Sequence, residues 1–251
     1  LLHKAGRDSL SAKCGVDNHV LNPEHRGIIR VDLHGQDARQ RPAFFHEIMC
    51  LAKNLIGAQI FQALEHVVLI TLDRPEARNA CDLEHFHQLA QAWKRFDADD
   101  DAWVAIFTGV GRSYMSGADL KTYVPEITAL AKELKAGTAT SVKGYSLSDG
   151  TEAVLRGTKI YKPIIAAVNG PCVAGGMEML GGVDIRVASE HATFGVLEPA
   201  RGLFAGGGTT VRLPRQIPFA QAMEFLLCAD IIDAARAFEM GLLNAVVPEE
   251  Q

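Results

Sequence analysis

Three times between residues 67 and 188 a short apolar run breaks at a turn and passes into a stretch with helical spacing. The first run, Val67-Val68-Leu69-Ile70-Thr71-Leu72, is rich in β-branched residues and stops at Asp73-Arg74-Pro75. From Cys81 to Phe96 apolar residues then recur every three or four positions. The second run, Ala102 to Thr108, enters Gly109-Val110-Gly111-Arg112, and helical spacing follows from about Leu120 to Leu134. The third, Pro163 to Val168, ends at Asn169-Gly170-Pro171, with a helix opening near Gly175 and a short strand from Ile185 to Ala188. Strands alternating with helices predict an α/β fold with a largely parallel sheet, whose ligands gather at the carboxyl ends of the strands.

The glycine-rich turns fall at those ends. In Ser116-Gly117-Ala118-Asp119 the glycine permits a tight bend, and the following N–H groups open a helix with no intrahelical acceptor. The Gly175 N–H of Ala174-Gly175-Gly176-Met177-Glu178 is placed the same way, and the helix dipole favours negative charge beside it. Glu178 stands one turn further on, and twenty residues later Glu198 ends the mostly apolar run Phe194-Gly195-Val196-Leu197. An apolar setting raises a carboxyl pKa towards neutrality. Two carboxylates beside two sets of free N–H groups are the minimum equipment for proton transfer next to a carbonyl. The plain alternative is a capped helix start with a solvated Glu178, and a surface turn at Glu198. Gly206-Gly207-Gly208-Thr209-Thr210 lacks a phosphate-binding lysine and reads as a helix-entry turn.

Composition narrows the class. A net charge of -5 with scattered Lys and Arg gives no basic stripe, so nucleic acid is excluded as a partner. The five cysteines lack CxxC spacing, which argues against a disulfide framework or zinc site and for a reduced cytoplasmic setting. The nine histidines show no metal-ligand spacing; His85 and His87 point to different helix faces and read as surface residues. Phe44 to Leu64 is interrupted by His46, Glu47, Lys53 and Asn54, so no membrane span is expected there, although a helix is possible.

Five segments together resemble the crotonase superfamily, specifically enoyl-CoA hydratases. They are Asp73-Arg74-Pro75-Glu76-Ala77-Arg78-Asn79-Ala80, Thr108-Gly109-Val110-Gly111-Arg112, Ser116-Gly117-Ala118-Asp119-Leu120, Ala166-Ala167-Val168-Asn169-Gly170 and Gly175-Gly176-Met177-Glu178. Gly202-Leu203-Phe204 to Pro214 and Gly241 to Pro248 add to the likeness, which covers residues 65 to 248. The resemblance implies a ββα-spiral core that binds acyl-CoA, with Ala118 and Gly175 N–H groups as an oxyanion hole. It implies acid/base roles for Glu178 and Glu198, and CoA contacts around Ala77, Arg78, Ala118, Asp119 and Leu120. By the same likeness the activity is hydration of a trans-2-enoyl-CoA; an enoyl-CoA isomerase or a non-catalytic acyl-CoA binder are the alternatives. No metal and no cofactor beyond the CoA of the substrate is implied, and assembly is as a homotrimer or dimer of trimers.

The chain is expected to divide into an irregular extension over 1–64 and a catalytic domain over 65–251. Family members begin close to the first strand and continue past the final Val-Val-Pro segment into helices that cover the acyl pocket. The expectation is therefore a truncated helical region and apolar surface prone to aggregation.

Overall fold

The computed structural model describes residues 61–64, 66–136 and 144–248. The possible helix over 44–64 lies outside the described residues as far as residue 60, and so does nearly all of the expected extension. In chain order the strands are β1 (Phe61–Leu64), β2 (Val67–Leu72), β3 (Val104–Gly109), β4 (Ile164–Val168), β5 (Cys172–Val173), β6 (Ile185–Ser189), β7 (Thr193–Gly195), β8 (Ile231–Asp233) and β9 (Ala245–Val247). The α-helices are α1 (Leu83–Ala98), α2 (Tyr123–Lys135), α3 (Asp149–Ala153), α4 (Gly175–Leu180), α5 (Thr209–Gln216), α6 (Phe219–Cys228) and α7 (Ala234–Glu239). None of the described helices is long and apolar enough to cross a membrane.

The main sheet has the order β1-β2-β3-β4-β6-β9. All its pairs are parallel except β1 with β2, which form an antiparallel hairpin. The parallel α/β sheet expected from the alternation is thus present, but its edge begins earlier than residue 65. Phe61–Leu64 is too short to show a period of its own, and its pairing to Val67–Leu72 is what makes it a strand. A smaller sheet, β5-β7-β8, is joined to the chain leaving β3 by a bridge between Met115 and Cys172.

Side-chain alternation along each strand divides the core. Val68, Ile70 and Leu72 of β2 join the large cluster, which takes in Phe86, Leu89, Trp93 and Phe96 of α1. Leu69 faces the other way, into a smaller cluster with Ile106, Ile165, Ala167, Val187 and Val247. Asp82 caps α1 by accepting from the His85 N–H at 2.9 Å, and the buried Trp93 indole donates to Ala153 O at 2.9 Å. α2 starts at Tyr123 rather than near Leu120, because the Asp119 side chain first closes a turn with the Lys121 N–H at 3.0 Å.

Asn79 fixes the loop between β2 and α1. It is 1% exposed and has a φ of 55°, a left-handed conformation that Asn tolerates better than most residues. Its side chain accepts from the Arg74 N–H at 3.0 Å and donates to Val110 O at 3.0 Å and Ser113 O at 2.6 Å. One amide therefore ties the first loop to the turn after β3. Asn79→Ala leaves three backbone groups short of a partner and strains a positive φ; it should lower unfolding free energy by about 3 kcal/mol in a denaturant titration. A loss below about 1 kcal/mol would show that water replaces the amide without cost.

Candidate active site

Two turns at the carboxyl end of the sheet meet through glycine. A Cβ on Gly175 would lie 2.9 Å from Gly117 Cα, and one on Gly117 would lie 2.6 Å from Gly175 N. Only hydrogen fits between them, and Gly117 also has a φ of 85°. On one side the Cys81 N–H donates to Gly117 O at 2.7 Å and the Asp119 N–H to Cys81 O at 2.8 Å, so the Ala118 N–H between them is left over. On the other, Gly175 is the first residue of α4, where no earlier turn offers a carbonyl. Among the described residues neither the Ala118 nor the Gly175 N–H donates a hydrogen bond. Ala174, which precedes Gly175, is held at a φ of 50°, a strain that occurs beside the two free donors. Adjacent N–H groups with no acceptor suit a single oxygen that gains negative charge.

Glu178 rises from α4 one turn after Gly175 and is half-buried. Desolvation lifts its pKa from 4.5 to about 7; nearby Glu198 adds to the rise, while the Gly207 N–H, Arg212 and Arg156 oppose it. The Gly207 N–H donates to Glu178 Oε1. A Cβ on Gly207 would overlap that carboxylate, so a side chain there would displace the Glu178 carboxyl. Glu198 enters from β7 at the start of a 3-10 turn over Pro199–Arg201. Burial raises its pKa as well, and its Oε2 is buried without a hydrogen-bond partner. Glu198 is close enough to add to the rise at Glu178, which takes up its proton near neutral pH. That is acid/base equipment beside a pair of oxygen-binding donors.

The sequence-derived residues Ala118, Gly175, Glu178 and Glu198 therefore come together. Asp119 is adjacent, but its carboxylate is committed: Arg74 pairs with it at 2.9 Å and also donates to Ala80 O at 3.0 Å. Leu120 is 55% exposed on the same turn. Arg78 is exposed with a φ of 54°, and its carbonyl accepts from Ser116 Oγ at 2.8 Å, so the Ala77-Arg78 loop is latched to the Gly117 turn. Glu76, at the start of the same loop, lies 3.8 Å from Arg74 Nε. His87, read as a surface residue, pairs with buried Asp149 at 2.9 Å. Among the described residues no three His, Cys, Asp or Glu side chains gather to hold a metal.

Sequence reasoning missed the support behind Glu178. The glycine run does lead into α5, as expected, but Gly207 also grips the carboxylate. Arg212 of α5 donates to Val154 O at 3.0 Å, Leu155 O at 2.6 Å and Glu178 O at 2.9 Å, stitching three segments together. Three successive glycines, where one suffices for a helix entry, were the available signal.

The Glu178 shift fixes a sign for stability. The folded state binds this proton more tightly than the unfolded chain, so stability falls as pH rises from 4.5 through about 7. Glu178→Gln should therefore be more stable than the parent by about 2 kcal/mol at pH 8, with the gap closing towards pH 5, in denaturant titrations at several pH values. A gap that is absent or grows on acidification contradicts a half-buried, proton-binding Glu178.

Known proteins resemble this chain in sequence and fold. The model of the enoyl-CoA hydratase/isomerase family matches residues 62–251. Enoyl-CoA hydratase EchA19 of Mycobacterium tuberculosis is 43% identical over 192 residues, covering 74% of this chain and 66% of that protein. (E)-Benzylidenesuccinyl-CoA hydratase of Thauera aromatica is 39% identical over 183 residues, covering 72% and 66%. These alignments span just under two thirds of the relatives' length. The crystal structure of an enoyl-CoA hydratase from Mycobacterium tuberculosis superposes with a TM-score of 0.63 at 37% identity, over 75% of this chain and 68% of that one. By its motifs, its fold and these matches, the chain belongs to the enoyl-CoA hydratase/isomerase family of crotonase-type proteins.

Proposed function

We propose that the protein adds water across the C2=C3 bond of a trans-2-enoyl-CoA to give the 3-hydroxyacyl-CoA. The observation that carries this reading is the pairing of two half-buried carboxyls of raised pKa, Glu178 and Glu198, with the free Ala118 and Gly175 N–H groups. Relatives named as hydratases of CoA thioesters support it.

In this mechanism the thioester oxygen sits on the Ala118 and Gly175 N–H groups. Attack at C3 pushes charge onto that oxygen as an enolate, and each donor typically lowers the barrier by about 3 kcal/mol. In the reacting pair we assign the acid role to Glu198, whose pKa burial raises and whose Oε2 has no hydrogen-bond partner. Glu178, with an N–H and two cations turned towards its charged form, is the base. Glu178 takes a proton from water as the oxygen bonds to C3, and Glu198 gives its proton to C2. A proton then returns from Glu178 to Glu198, which restores the pair. Backbone around Ala77, Arg78 and the Ala118-Asp119-Leu120 turn would hold the CoA.

The chemistry calls for proton transfer and electrostatic stabilisation, so the reading includes no cofactor besides the CoA of the substrate. It also includes a cytoplasmic setting, supported by free, buried Cys81 and Cys172. We further propose a homotrimer or dimer of trimers, supported by exposed apolar side chains such as Phe204, Phe219 and Leu227.

The test is loss of enoyl-thioester ultraviolet absorbance with short, medium and long trans-2-enoyl-CoA. Glu178→Gln and Glu198→Gln should each lower kcat by about 10³-fold with KM little changed. Near-full activity of Glu178→Gln on 3-enoyl-CoA, with no hydration by the parent, would replace hydratase by isomerase. Tight acyl-CoA binding in calorimetry without turnover of either substrate would leave only a binding protein.

A further inference from the structure

The grip on Glu178 does not end at Gly207. The N–H that Gly207 donates to the carboxylate belongs to the same peptide unit as the Gly206 carbonyl. That carbonyl accepts from Arg156 Nη1 at 2.5 Å. A guanidinium, one peptide group and a carboxylate thus form a continuous chain of hydrogen bonds. Among the described residues no carboxylate lies within ion-pair distance of Arg156. Among the described residues its side chain donates to the Gly206 carbonyl alone.

The position of Arg156 is built rather than incidental. Leu155 before it takes a φ of 60°, a conformation that a leucine enters only under constraint. Arg212 supplies that constraint through its bonds to Val154 O and Leu155 O, and the Arg156 N–H donates to Thr151 O at 2.8 Å. On the other side, Gly206 and Gly207 have no side chains to anchor their turn, so the orientation of their shared peptide depends on what its carbonyl and N–H meet. A cation on the carbonyl both orients the peptide and draws electron density from the N–H, which strengthens the bond that the N–H makes to an anion.

We propose that Arg156 is a positioning residue for Glu178, which it orients and holds in its charged form through the Gly206–Gly207 peptide. The inference rests on Glu178 being the base of the proposed reaction, but the link between the two side chains can be measured without turnover. The charged and donor groups facing Glu178 are Glu198 from the turn after β7, Arg212 from α5, Arg156 from the segment after α3, and the Gly207 N–H. Burial and Glu198 favour the proton on Glu178; the two arginines and the N–H oppose it. Removing Arg156 therefore raises the proton affinity of Glu178 and frees its carboxylate to wander. Arg156 is exposed, so its loss should not disturb the core.

The experiment uses the full chain as parent, Arg156→Met and Arg156→Lys. The titration of the Glu178 carboxyl carbon is followed by 13C NMR, assigned by its disappearance in Glu178→Gln, and kcat and KM are measured on the trans-2-enoyl-CoA that the parent turns over best. We expect Arg156→Met to move the Glu178 midpoint upward and lower kcat by about three- to tenfold at pH 7, with KM unchanged. Arg156→Lys, which keeps the charge, should recover most of both. An unmoved midpoint in Arg156→Met overturns the proposal, and so does a rise in KM at constant kcat, which would make Arg156 a substrate contact. If the parent turns over no enoyl-CoA, the proposed reaction fails while the midpoint still decides whether Arg156 acts on Glu178.

Discussion

The close approach of Gly117 to Gly175 is the contact on which the site depends. A methyl group at either position would push the two turns apart, and the Ala118 and Gly175 N–H groups would no longer neighbour one another. Holding such turns together takes a framework, and the parallel sheet supplies it by delivering β3 and β4 side by side to one edge. Local bonds then lock the approach. Asn79 and Arg74 fasten the first loop to the turn after β3, Ser116 latches Arg78, and the bridge of Cys81 to Ala118 aims the donor. The donors remain unpaired because the backbone around them has already spent its carbonyls elsewhere.

The glutamate pair imposes the opposite demand. Two carboxyls partly withdrawn from water cost stability, and the cost increases with pH as their protons leave. The fold tolerates this because an N–H and two arginines converge on Glu178, while among the described residues Glu198 meets only the backbone N–H groups of Leu197 and of itself. Glu198 Oε2 has no hydrogen-bond partner. In the proposed reaction that asymmetry sorts a base from an acid, and a site of this kind trades stability for reactivity.

Much of this was legible in the sequence, for definite physical reasons. Val67–Leu72 and Ile164–Val168 announce themselves by branched side chains between turn residues, and Phe86, Leu89, Trp93 and Phe96 by helical spacing. Glu178 and Glu198 stood out because glycine turns precede them within a few residues. What stayed hidden is carried by contacts between distant residues: Gly207 lies 29 positions from Glu178, Gly206 lies 50 from Arg156, and His87 lies 62 from Asp149. No local period encodes such pairs. β1 was hidden in the same way, since four residues at an edge gain their identity from the partner strand.

The central claim is that this pair of carboxyls splits one water between C3 and C2. The direct measurement is proton and deuterium NMR of the product formed from a trans-2-enoyl-CoA in deuterium oxide. The account predicts a 3-hydroxyacyl-CoA carrying one deuterium at C2 and bound to oxygen at C3. Deuterium at C4 with no hydroxyl added, or recovery of unlabelled substrate from folded protein that binds it, would contradict the account.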